Sequence, residues 1–166
     1  MVPTSRPIRE GLIVGVIGYA SVAVFYSAFD LLAARGSLHT VNMLGKCVFR
    51  GLRNPAVLGL PMQVDLTATA LYNGFHLLMS LVIGLIVTGL VKYSNRGPSQ
   101  ARMALFTIVA GFVVTIITVG QLTNSIRPLL PWWSIVVANV FAVLLPSVYL
   151  LRKHPALWGK LNPFAS

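Results

Sequence analysis

Thr69, Tyr72, Asn73, His76 and Ser80 recur in an otherwise apolar run at the spacing i, i+3, i+4, i+7 and i+11. On a helix that spacing puts all five side chains on one face. His76 has the richest chemistry of the five. A neutral imidazole ligates the magnesium of a chlorophyll or the iron of a five-coordinate haem, and it donates a hydrogen bond to a quinone carbonyl. The candidate cofactor-binding set is therefore His76 with Tyr72 and Asn73 beside it, and Asn139 and Thr118 as helpers from other helices. A bis-histidine haem needs a second imidazole within a span. The other two histidines, His39 and His154, fall outside the apolar runs. The competing role is structural: a neutral His76 satisfied by Asn73, Tyr72 or a neighbouring threonine. An intramembrane histidine marks a site by default, yet hydrogen bonds between membrane helices often contribute little.

Other chemistry is sparse. The chain holds three acids in all, and Asp30 is the one expected inside a span, with Arg35, His39 or Lys46 available to neutralise it. A proton or cation path needs ionisable groups at several depths. Paired carboxylates, an HExxH motif, a phosphate loop and a nucleophile elbow are all missing, so an enzyme is not expected. Cys47 is the single cysteine. It permits no intrachain disulfide and is expected to act as a small apolar residue at an interface.

The elements that position these groups follow from composition. Charged residues make up 10% of the 166 positions, against roughly 25% in a soluble domain, and the mean hydropathy is +0.80. Four apolar stretches, about 11–34, 66–91, 103–126 and 130–151, each approach or exceed the ~20 helical residues that cross a bilayer core. The expected fold is an all-α membrane protein: one integral domain over 1–166, built as a bundle of four transmembrane helices. The first stretch is too long for the core of a signal peptide and is expected to be retained. Between the first two spans, Asn42, Lys46, Arg50 and Arg53 fall on one helical face, with Val41, Leu44 and Val48 opposite. That pattern predicts an amphipathic helix over about 40–53, lying in the headgroup plane. Lys46, Arg50 and Arg53 would then face water, lipid headgroups or a partner.

The net charge of +10 is spread through the gaps between apolar runs. That placement suits anionic lipid and argues against a nucleic-acid partner. Eight basic residues (Arg6, Arg9, Lys92, Arg96, Arg102, Arg152, Lys153, Lys160) fall on the side of the termini and five on the other. Both termini are therefore expected in the cytoplasm. Trp132, Trp133 and Trp158 fit the aromatic belts at the two interfaces.

Helical rise sets depth. At about 1.5 Å per residue, His76 lies ~12 Å below Ala68, and Asn139 ~10 Å below Trp132. Thr115, Thr118 and Tyr26 come out at about the same depth by that rise, so all four spans are expected to offer a polar group at one level. Gly11 and Gly15 form a GxxxG, which serves either a homodimer or packing within the chain. The class expected from these features is a non-catalytic accessory subunit of a larger membrane complex, of an energy-transducing kind such as respiratory or photosynthetic electron transport. Its partners would be the lipid bilayer and other membrane subunits. The alternatives are a cofactor- or quinone-binding subunit built on His76, and a small channel or transporter formed as a homo-oligomer.

Overall fold

A computed structural model describes residues 5–59 and 62–155. Trp158 and Lys160, expected near the lipid interface, lie outside that range. The described chain is helical, without a strand. Its order is α1 (Ser5–Leu32), α2 (His39–Phe49), α3 (Pro55–Leu58), α4 (Leu66–Ser94), α5 (Pro98–Leu122), a 3-10 turn (Asn124–Ile126) and α6 (Trp132–Lys153). Four helices, α1, α4, α5 and α6, are long and apolar enough to cross a membrane, and the chain is of multi-pass membrane type.

Helix α1 is the hub, packing mainly along α4 and then along α6. Between apolar helices in lipid there is no hydrophobic drive to associate, so close approach of small residues has to supply the contact. The GxxxG does this within the chain. A Cβ on Gly15 would lie 2.6 Å from the Leu81 Cα, and one on Gly84 would collide with the backbone of Gly11 and Gly15. The α1–α6 seam is aromatic and antiparallel. Phe29 meets Trp133 edge-on at 5.6 Å between ring centroids, and Phe25 meets Phe141 at 6.1 Å. Helix α5 packs on α4 and only slightly on α6, where Gly120 leaves room for the Trp132 ring.

Helix α1 is displaced from the expected 11–34. It begins earlier, which brings Glu10 into the span, and it stops at Leu32. The stop is a Schellman motif: Ala34 N–H donates to Leu31 O and Arg35 N–H to Asp30 O, each at 3.0 Å. Ala34 takes φ 55°, the left-handed position that glycine usually fills. Ala34→Gly is accordingly expected to stabilise the fold by about 1 kcal/mol, read as a shift in the unfolding midpoint in mixed micelles.

The end of the molecule opposite the start of α1 and the end of α6 is closed by a packed cap. Met43, Leu44 and Cys47 of α2, Leu58 of α3, Ile126 and Leu130 before α6, and Ile135 of α6 form one buried cluster, with Tyr26 and Tyr72 against it. This corrects the expected orientation of the 40–53 helix. It ends at Phe49, with Gly51 at φ 67° beyond it, so Arg53 lies outside it. Its buried side carries Thr40, Asn42, Met43, Leu44, Gly45 and Cys47, while Val48 is exposed. The helix is turned because Asn42 is needed inside, where its amide serves the start of α4. Gly45 lets α2 sit against the Ala68 backbone.

Candidate functional site

The polar stripe of α4 meets α1. Tyr19 Oη donates to Asn73 Oδ1 at 3.0 Å, and Asn73 Nδ2 donates to Thr69 O at 3.0 Å. The His76 ring stands edge-on to Tyr19 at 5.2 Å and tilted to Tyr72 at 6.3 Å. His76 is partly buried and makes no hydrogen bond among the described residues. The proposed structural partners thus give it ring contacts without satisfying its nitrogens. Tyr19 is the member that sequence reasoning missed. The signal was present, since Gly11, Gly15 and Tyr19 stand at i, i+4 and i+8 on the face that packs on α4.

The expected four-helix polar layer does not form. Asn139 Nδ2 donates to its own helix at Ile135 O, 2.8 Å, and Ala142, not Asn139, lies beside Gly18. Thr115 Oγ1 donates to Gly111 O at 2.8 Å, and Thr107 Oγ1 to Met103 O at 2.9 Å. Thr118 is exposed. Tyr26 packs into the cap. Each of these short side chains finds a carbonyl on its own helix or points away from the chain, so helical spacing placed them correctly along α5 and α6 but not towards His76. Of the five residues expected to hold a cofactor, His76, Tyr72 and Asn73 come together, while Asn139 and Thr118 do not join them.

The three acids are all engaged. Asp30 is 1% exposed. Its carboxylate accepts from Thr40 N–H at 2.6 Å and from Thr40 Oγ1–H at 2.7 Å, with Arg35 Nη2 3.5 Å away. The reason is local. Leu38 occupies the N-cap of α2 and has no side-chain oxygen to offer, so Asp30 caps α2 from across the turn and supplies the negative charge that a helix N-terminus favours. Burial, then the Arg35 charge, hold the His39 pKa below the ordinary histidine range, against the pull of Asp30.

Asp65 caps α4 by accepting from Ala68 N–H at 2.9 Å. It also accepts from Arg50 Nε at 2.9 Å, and the Asp65 backbone N–H donates to Asn42 Oδ1 at 2.9 Å. Lys46 Nζ donates to Gln63 O at 2.7 Å. Lys46 and Arg50, expected to face water, headgroups or a partner, also hold α2 against the start of α4, and Arg50 stays exposed while it does so. Arg53 is exposed.

Glu10 pairs with His154, with Oε1 2.6 Å from Nε2. The contact ties the first turns of α1 to the C-cap of α6, and nothing in the local pattern of either segment announced it. No protein-family model, characterised protein or solved structure matches this chain. Its function therefore has to be read from the geometry.

Asp65 gives a pH expectation. The bond from Arg50, then the Ala68 N–H, lower its pKa from 3.8 to about 2. The folded value lies below the unfolded one, so the contribution is fully present above about pH 4 and is lost as pH falls through about 2. Carboxyl chemical shifts of Asp65 in nanodiscs are expected to show an ionised group at pH 3. An Arg50→Gln variant is expected to titrate nearer the unfolded value.

Proposed function

We propose that this chain is a non-catalytic subunit of a larger membrane assembly, a bundle of four transmembrane helices whose α2 and α3 cap lies at one interface. One observation carries the proposal. Among its described residues α5 buries only Ala101, Ala104 and Gly120, and it turns Thr107 and Thr118 away from its own chain. Small and hydroxyl-bearing residues on a helix face are what membrane helices use against one another. The engagement of Glu10, Asp30 and Asp65 in structural contacts supports the absence of acid–base chemistry. A photo-cross-linking residue at Thr118 tests the proposal in native membranes. A single cross-linked membrane polypeptide of fixed mass is expected, with no polypeptide product from Val148 on α6. Adducts with lipid alone, or with this chain alone, would overturn it.

One observation favours a second reading, in which His76 contacts a quinone or a pigment: its ring has no hydrogen-bond partner among the described residues. His76→Leu then removes a quinone from lipid extracts, or an absorption band from the purified protein, while the fold survives. In the first reading the same change costs on the order of 1 kcal/mol or less and alters no spectrum.

The orientation belongs to the same proposal: both termini are cytoplasmic, by the excess of basic residues on their side. In a Cys47→Ala background, Ser37→Cys is expected to react with an impermeant maleimide added to sealed cells, and Ser99→Cys only after lysis. The reverse pattern would invert the topology.

A further inference from the structure

We propose that the groove between α1 and α6, at the end carrying the termini, holds one anionic phospholipid. The groove is a shallow, open furrow of about 650 Å³ lined by Ile17, Leu145, Val148, Tyr149, Arg152 and Lys153. Two ties create it. The helices approach where Gly18 faces the Ala142 carbonyl and are clasped again where Glu10 meets His154. Between these points they leave a furrow open to the side. The furrow is chemically graded along its length. Ile17, Leu145 and Val148 form its apolar floor, open to the lipid side, which suits an acyl chain.

Arg152 and Lys153 stand at its mouth. Seven residues separate Leu145 from Arg152, a rise of ~10 Å, which is the distance from headgroup level into the upper hydrocarbon. Both cations are exposed. Lys153 Nζ lies 3.1 Å from Tyr149 Oη and over the Tyr149 ring, which holds the ammonium at the rim. The nearby carboxylate, Glu10, is buried and taken by His154, so it does not cancel the charge at the mouth. Basic pockets between transmembrane helices are established receptors for anionic headgroups. The apolar wall distinguishes a lipid from a free phosphate, which would gain nothing from Leu145 and Val148.

The test is native mass spectrometry of the full chain in detergent, titrated with dioleoyl phosphatidylglycerol, dioleoyl phosphatidylcholine or water-soluble glycerol phosphate. One tight phosphatidylglycerol is expected, with phosphatidylcholine weaker and glycerol phosphate unbound. Each basic residue near an anionic headgroup contributes roughly fivefold, so Arg152→Gln with Lys153→Gln is expected to weaken phosphatidylglycerol roughly 30-fold. The control Lys92→Gln with Arg96→Gln, between α4 and α5, is expected to leave it unchanged. Leu145→Trp fills the furrow, keeps both charges, and is expected to weaken the same complex. Equal loss in the control pair would overturn the site, as would a Leu145→Trp variant that binds like the parent or binding of glycerol phosphate at comparable strength.

Discussion

Gly84→Ala is expected to destabilise the protein by about 2–3 kcal/mol. The added methyl group would meet the Gly11 carbonyl and the Gly15 backbone, and a backbone cannot turn aside as a side chain can. Helices α1 and α4 must then separate along their seam, losing dispersion contacts on both sides of Gly84 and loosening the Tyr19–Asn73 bond, about three turns away along α4. Equilibrium unfolding in mixed micelles, or steric trapping in bicelles, reads the loss. Gly74→Ala and Gly89→Ala lie on the same helix with nothing within 4 Å of the new Cβ. They are expected to fall within about 0.5 kcal/mol of the parent. If all three variants behave alike, the α1–α4 contact is not the one described.

Asp30→Ala carries the second large effect, about 2–3 kcal/mol. The variant leaves the Thr40 amide and hydroxyl without acceptors at a fully buried position, removes the cap of α2, and strips Arg35 of its counter-charge. The Arg35 share is small, because that side chain is 28% exposed and sits 3.5 Å from the carboxylate; Arg35→Gln is expected to cost about 1 kcal/mol or less. Asp30→Asn keeps one acceptor and is expected to fall between the two. Hydrogen exchange gives a local readout: the Thr40 amide is expected to lose protection in Asp30→Ala while amides in the middle of α6 keep theirs. Uniform loss across the chain would mean that the cap and the spans unfold together, contrary to this expectation.

The spans were legible because length and hydropathy are properties of a segment by itself. The four long helices follow from them. GxxxG marked Gly11 and Gly15 as a surface of close approach but left open whether a second copy or a helix of the same chain fills it, and only the fold sets it against α4. The face of α2 was misread for a different reason. Periodicity sorts residues by polarity, but Asn42 is buried through bonds to the Gln63 carbonyl and the Asp65 N–H, and no helical wheel contains those groups. Helix α3 spans only Pro55–Leu58, too short to leave a periodic trace. The Glu10–His154 contact joins residues 144 positions apart and needs the fold before it can be seen. In the candidate site, helical spacing brought Tyr72, Asn73 and His76 to one face. It did not reveal that Asn139, Thr107 and Thr115 return their hydrogen bonds to their own helices.

That the chain is one subunit of a larger assembly is tested most directly by native mass spectrometry of the protein extracted from its own membranes in a mild detergent. A heteromeric complex is expected, containing this chain in fixed stoichiometry with other membrane polypeptides and dissociated when a bulky residue replaces Thr118. A spectrum holding only this chain, as a monomer or in whole-number multiples of its own mass, would contradict it.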